Sequence, residues 1–297
     1  VVILSDNAID HAVLMLAAMH VGRTACSLSS AYSRMAKDPS RLHGMLQALK
    51  PALIYASDAR VYGDSLADCG VEAVTGVSRN ADAHPGALAF DSLLAAKETP
   101  AVMQAFANVL PDTHAKYLLT SGSTGKPKVV INTHRMLCAN QQMMAQTWRF
   151  LSQEKPVLVD WLPWSHTFGA NHNFNLVLRN GGTLYIDGGK PAPGLFATSL
   201  ANLRSVMPTV YFNVPRGFDM LIAALRSDEE LRQRFFGGVK FAFYAGAALP
   251  QNLWDALEEL SLQTVGRALP MVSAWGSTET SPRATDSDTP STAVKRP

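Results

Sequence analysis

The chain has 297 residues, 47% of them hydrophobic, and sets 26 Lys and Arg against 24 Asp and Glu for a net charge of +2. That length allows one large or two medium domains with ample material for a core, and no apolar run is as long as a membrane span. A nearly balanced charge with scattered basic residues argues against nucleic-acid binding.

From the amino end, residues 1–4 read as a strand in full stride, 7–21 as a helix stopped at Gly22, and 24–28 as a second strand. A helix at 41–49 ends before Pro51, then a strand at 53–56, a helix at 59–69 closed by Gly70 and a strand at 71–77 follow. Residues 91–110 are helical with a break at Pro100. A strand ending near Leu119, a polar loop and a second strand at 129–131 lead into a helix at 134–149. Later strands are predicted at 157–161, 183–186, 210–212, 239–244 and 271–274. Helices at 168–178, 195–206, 216–225, 228–235 and 251–260 separate them. Repeated strand–helix units predict an α/β fold of layered, parallel-rich sheets flanked by helices. Cys26, Cys69 and Cys138 are far apart, lie in apolar or helical surroundings and lack metal-ligand spacing. They read as buried thiols of a reducing, cytoplasmic setting. The sequence starts inside a strand without Met, and residues 281–297 are polar with no element to close a domain. A piece of a longer protein, cut at both ends, is the expectation.

The stretch Thr120-Ser121-Gly122-Ser123-Thr124-Gly125-Lys126-Pro127-Lys128 lies between two apolar strands. Gly122 and Gly125 let the backbone turn its N–H groups inward, the hydroxyls add donors, and Lys126 adds positive charge. That filling suits a polyphosphate. It is not a Walker A loop, because Thr120 stands where the first glycine belongs and Pro127 where the metal-binding hydroxyl belongs. A polar hairpin turn is the bland reading, and the density of donors favours the cradle.

Three other segments could carry chemistry. Trp275-Gly276-Ser277-Thr278-Glu279-Thr280 follows the last apolar strand and offers a ring, a close-approach glycine, hydroxyls and a carboxylate. It reads equally as a nucleotide-and-metal site or as an exposed loop with a helix cap at Ser277. Tyr244-Ala245-Gly246-Ala247-Ala248 follows a strand with small residues against which a flat ring can lie, though a tight turn explains it alone. His166 sits among Trp161, Trp164 and Phe168, where a capping or packed histidine is the commoner outcome. A Ser165–His166 hydrolase pair is weak, since neighbours on a chain rarely face each other and no Gly-X-Ser-X-Gly elbow occurs.

Taken together, these segments resemble the adenylate-forming superfamily of acyl- and aryl-CoA synthetases, luciferases and peptide-synthetase adenylation domains. The loop at 120–128 is similar to its phosphate loop, Trp275–Thr280 to its aromatic-Gly-X-Thr-Glu motif, 244–250 to its adenine-side turn, and 162–169 to its Leu-Pro-X-X-His-X-X-Gly segment. The order agrees and the resemblance covers nearly the whole chain, most closely in the manner of feruloyl-CoA synthetases. Asp6-Asn7, Asp58 and Pro215 also lie in stretches of familial look.

The resemblance implies an AMP-binding domain, lacking the small C-terminal domain, that uses ATP, Mg²⁺ and CoA to convert a carboxylic acid, aryl and ferulate-like, into its thioester. By that resemblance Thr120, Ser121, Gly122, Ser123, Thr124, Gly125, Lys126 and Lys128 wrap the β- and γ-phosphates. Thr278 contacts the α-phosphate and Glu279 holds Mg²⁺, while Gly246, Ala247 and Ala248 flank the adenine with Trp275 in the place of the usual Tyr. Ala274 and Gly276 face the acyl group, and His166 stands at the mouth of its pocket. Lys126, Thr278 and His166 are the catalytic candidates. The family's ribose-binding Asp and catalytic Lys lie beyond Pro297 by this alignment, so the piece alone is expected to be inactive. Two rivals stay open: an adenylation domain that loads a carrier protein, and a non-catalytic nucleotide-binding module.

Overall fold

A computed structural model describes residues 1–36, 38–67, 69–120 and 128–286. The chain forms two compact units, one of Val1–Cys138 with Pro163–His166, the other of Ala139–Leu162 with the chain from Thr167 onward.

In the first unit β1 (Val2–Leu4), α1 (Ile9–His20), β2 (Cys26–Ser27), α2 (Ser40–Leu49), β3 (Leu53–Asp58), α3 (Ala59–Leu66), β4 (Val74–Arg79) and β5 (Leu88–Ala89) follow in order. The strands pair in parallel in the order β2-β1-β3-β4-β5. Strands covered on both faces need continuous apolar sequence, and β1 is buried throughout. Val2, Leu4, Ile54 and Ala56 pack with Leu42 and Leu46 of α2 and Tyr62 of α3. Asp58 caps α3, its side chain accepting from the Arg60 N–H at 2.9 Å. Because β1 lies between β2 and β3, the chain leaves it in opposite directions, which opens a crevice at the carboxyl ends of β1 and β3. A cavity of about 320 Å³ sits there, lined by Asp6, Asp10, Arg34, Tyr62, Ser78 and Arg79 among others. After α4 (Phe90–Leu94) and α5 (Pro100–Ala107), β6 (His114–Thr120) and β7 (Lys128–Thr133) form an antiparallel hairpin, followed by α6 (His134–Thr147). The hairpin joins the chain before β2 through a bridge from Lys116 to Ala25.

In the second unit β8 (Val157–Asp160) pairs in parallel with β9 (Thr183–Ile186), with a π-helical stretch Phe168–Phe174 and α7 (Asn175–Asn180) connecting them. α8 (Phe196–Ser205), β10 (Val210–Asn213), α9 (Pro215–Ser227), α10 (Glu229–Gly238), β11 (Phe241–Tyr244), α11 (Gln251–Val265), β12 (Met271–Ser277) and β13 (Ser281–Asp286) complete it. The sheet order is β10-β11-β12-β13, parallel except for the last pair. One cluster joins Phe218, Leu221 and Leu225 of α9 to Phe235 and Leu257 of α10 and α11. Another gathers Trp148, Leu158, Phe168, Phe212, Phe243 and Val272.

The α/β expectation holds, with local departures. Residues 168–174 form a π-helix where the sequence predicts an α-helix. That stretch is wholly buried, including Asn171, His172 and Asn173, and the Asn171 carbonyl accepts from the Gln141 side chain at 2.7 Å. A wider turn frees backbone groups for such partners. The segment 281–286, which the sequence leaves without an element, is a strand paired to β12; its polar Ser-Pro-Arg-Ala-Thr-Asp sequence has no alternation to announce it. The two-residue β5 is too short to leave a period in the sequence. Cys26 and Cys69 are buried in agreement with the sequence reading, but Cys138 is exposed, on the outer face of α6.

Candidate active site

The carboxyl ends of β10, β11 and β12 lie side by side in the second unit. Parallel pairing sets Asn213 beside Tyr244 and Tyr244 beside Ser273. The Ser273 hydroxyl donates to the Tyr244 carbonyl at 3.0 Å, and the Ala245 N–H donates to the Asn213 carbonyl at 3.4 Å. Gly246, Ala247 and Ala248 then leave β11 as an exposed turn. Gly246 has φ +88°, a backbone conformation that a side chain would strain. With no side chain larger than a methyl, the turn presents a flat backbone surface at the sheet end.

β12 runs further than the sequence suggests, through Ser277, so Trp275 and Gly276 belong to the strand. Its partner β13 pairs Ala274 with Asp286, Trp275 with Thr285 and Ser277 with Ser281, with an irregularity between Trp275 and Ser277 where Gly276 stands. Ala274 packs against the aromatic cluster of Phe168, Phe212 and Phe243, as do Ala245 and Val214. Trp275, next along, leaves 52% of its surface open to solvent. The turn to β13 is closed by Ser277 and Thr280: the Ser277 N–H donates to Thr280 Oγ1 at 2.9 Å and the Thr280 N–H to Ser277 Oγ at 3.2 Å. Ser277 therefore caps a hairpin turn, not a helix. Thr278 is half-buried and Glu279 exposed at its tip. This turn and the Gly246–Ala248 turn both follow the carboxyl ends of neighbouring parallel strands, β12 and β11.

In the first unit, Thr120 and Lys128 are the paired residues from which the hairpin opens. Ser121, Gly122, Ser123, Thr124, Gly125 and Lys126 lie outside the described residues. His166 ends a turn in which its N–H donates to the Pro163 carbonyl at 3.0 Å, and the residue is exposed. Partial desolvation holds its pKa below the ordinary value. It does not cap the π-helix, which begins after Thr167.

Sequence reading missed three polar groups of the second unit. Asn213 is buried at the end of β10, where its Oδ1 accepts from Trp161 Nε1 at 3.2 Å and from the Val214 N–H at 2.9 Å, and its Nδ2 donates to the Tyr211 hydroxyl at 2.7 Å. Gly217 faces that carboxamide so closely that a Cβ would strike it. A polar residue ending an apolar strand, two before Pro215, is the signal that could have found it. Asp160 is buried at the end of β8; burial pushes its carboxyl up to about 7, although the Leu162 N–H donates to it at 3.2 Å. His172 lies inside the aromatic cluster, stacked on Phe243 with centroids 4.8 Å apart and edge-on to Phe212 and Trp148. Nothing in its local sequence separates it from an exposed histidine.

Residues 1–297 match the family described as AMP-binding enzyme. The chain belongs to that family. Among curated AMP-binding relatives it is 27% identical over 200 residues to a methyl-dioxo-octahydro-indenyl-propanoyl:CoA ligase of Rhodococcus jostii (strain RHA1), covering 66% of this chain and 36% of that protein. It is 26% identical over 169 residues to the benzoate–CoA ligase of Thauera aromatica, covering 56% of this chain and 31% of that protein. Among solved structures, apo MatB from Rhodopseudomonas palustris superposes with a TM-score of 0.72 at 20% identity, over 100% of this chain and 52% of that one. The chain thus spans about a third of the length of these curated relatives.

Proposed function

We propose that the chain is the nucleotide- and acid-binding part of an ATP-dependent carboxylate–CoA ligase, with an aryl acid of the cinnamate type, such as ferulate, as its substrate. The observation that carries this reading is that the open Gly246–Ala248 turn and the Trp275–Glu279 segment both continue from the carboxyl ends of the parallel pairing of β11 with β12, in a chain of the AMP-binding family. A carboxylate oxygen attacks the α-phosphorus of ATP and pyrophosphate leaves. The CoA thiolate then attacks the acyl carbon and AMP leaves. Hydroxide is a poor leaving group and AMP a good one, so the protein's work is positioning and charge neutralisation.

The backbone at Gly246, Ala247 and Ala248 and the face of Trp275 are assigned to the adenine, and Thr278 to the α-phosphate. Thr120, Lys128 and the loop they enclose, with Lys126, are assigned to the β- and γ-phosphates. His166 is assigned to gate the acid, and Ala274 and Gly276 to flank its ring. The aromatic cluster behind Ala274 supports a planar substrate, and the relative named for benzoate agrees with it. Mg²⁺ fits Glu279. Among the described residues no group of three His, Cys, Asp or Glu could hold a metal, and one exposed carboxylate is what Mg²⁺ uses when phosphates and water supply its other ligands. The ion would offset the charge of the departing pyrophosphate. Buried free thiols at Cys26 and Cys69 support a reducing, cytoplasmic setting. Among the described residues no helix is long and apolar enough to cross a membrane.

The test is acid-dependent exchange of pyrophosphate into ATP by the full-length protein over a panel of benzoates, cinnamates and fatty acids, followed by thioester formation with CoA or with a carrier protein. Ferulate-dependent exchange and a CoA product are expected. Exchange with no acid in the panel leaves a nucleotide-binding module, and transfer only to the carrier identifies a loading domain.

A further inference from the structure

The four residues Pro163-Trp164-Ser165-His166 pack with the first unit, whereas the chain on both sides of them packs in the second. Two groups at the switch point of the first sheet hold them. The Trp164 N–H donates to Asn7 Oδ1 at 2.9 Å, across 157 positions of sequence. Asn7 lies in the loop between β1 and α1, next to Asp6, whose carboxylate is clamped by Arg34 at 2.7 Å. The Trp164 ring is buried and met edge-on by the ring of His11 on α1, with centroids 5.1 Å apart and planes at 74°.

His11 is in turn fixed at both nitrogens. Its Nδ1 is 3.2 Å from the Asp6 carbonyl and its Nε2 is 2.7 Å from Ser27 Oγ. A carbonyl only accepts, so Nδ1 carries the proton and Nε2 accepts from the serine. Burial holds the pKa of His11 down to about 4, so the ring stays neutral and this tautomer is kept through the physiological range. With Trp164 held by backbone and ring, and the turn closed from His166 to Pro163, the direction in which His166 leaves the turn is set.

We propose that Asn7 and His11 are positioning residues for His166, holding its turn through Trp164 so that the imidazole meets the acid in one orientation. This rests on the reading of His166 as the gate for the acid substrate. The geometry makes a chemical distinction that a packing role would not. The turn needs an acceptor at Asn7 Oδ1, which aspartate supplies and alanine lacks.

The experiment uses the full-length protein with ¹³C-labelled histidine, in wild type, N7A, N7D and H11L, with H166A identifying the His166 ring resonance. In N7A that resonance is expected to move toward the position of an unstructured histidine, and in N7D to return. In kinetics the KM for the acid should rise about ten- to a hundredfold in N7A, with the KM for ATP unchanged and N7D close to wild type. H11L, which leaves the Asn7 bond in place, should shift the resonance in the same direction by less, and it stands in if N7A does not fold. An unmoved His166 resonance in the folded variants overturns the proposal, as does a KM rise shared equally by acid and ATP. A wild type that is silent in every acid-dependent assay overturns the ligase reading instead, and the resonance still decides whether Asn7 holds the turn.

Discussion

Replacing Asp160 with asparagine isolates the cost of keeping a carboxyl group inside the second unit. Burial raises its pKa from 3.8 to about 7 in the folded chain. Below 3.8 both folded and unfolded chains hold the neutral acid, and the group does not affect stability. Between 3.8 and about 7 the unfolded chain ionises while the folded one keeps its proton, so stability falls as pH rises. Above that range the loss is complete, on the order of 4 kcal/mol at about 1.36 kcal/mol per pH unit. The D160N side chain keeps an oxygen for the Leu162 N–H and has nothing to ionise. Urea unfolding of wild type and D160N, followed from about pH 4 to about pH 8, should give nearly equal stabilities at the acid end. The variant should lead by several kcal/mol at the alkaline end. Other titrating groups cancel in the difference. Two curves that run parallel within about 1 kcal/mol across the range would show that the folded carboxyl ionises at its ordinary pH, and that the burial argument is wrong.

Gly217→Ala pushes a methyl into the Asn213 carboxamide and should cost about 2–3 kcal/mol through overpacking and broken bonds, read as a fall in Tm; a neutral result means that the end of β10 is free to shift. Thr124→Ala removes one donor to phosphate, worth about 1.5–3 kcal/mol, and should slow pyrophosphate exchange by about one to two decades; unchanged exchange makes the loop a mere turn. Glu279→Gln should weaken exchange in a way that added Mg²⁺ partly restores, and a defect indifferent to the metal concentration counts against the assignment. Gly276→Val should abolish use of cinnamates while sparing shorter acids, and equal loss of both would place Gly276 away from the acyl group.

What was legible in the sequence follows the strength of the burial signal. β1, β10 and β11 are almost entirely apolar and buried along their whole length, because both faces of these strands are covered, and their positions were plain. The Trp275–Thr280 segment was visible as a motif, but its place inside a hairpin was not. Its partner β13 is made of polar residues whose pairing depends on β12 and on no pattern of their own. The π-helix was hidden for a related reason. The sequence Phe-Gly-Ala-Asn-His-Asn-Phe carries nothing that separates i+5 from i+4 bonding, and Gln141, whose side chain reaches the Asn171 carbonyl, is 30 positions away. His166 stood out by its neighbours and Asn7 lay in a stretch of familial look, but the link of Asn7 and His11 to the turn of His166 spans more than half the chain and leaves no local mark.

The membership of residues 163–166 in the first unit also bears on how the chain folds during synthesis. When residue 138 leaves the ribosome, the sheet of the first unit can form, but the seat for Trp164 beside His11 is empty and the Asn7 side chain lacks the N–H that it holds in the native state. Closing that seat requires a contact across 157 positions, a slow step by chain entropy alone. The nascent first unit should therefore wait with the His11 ring and the Asn7 carboxamide uncovered until β8 and the turn after it have emerged.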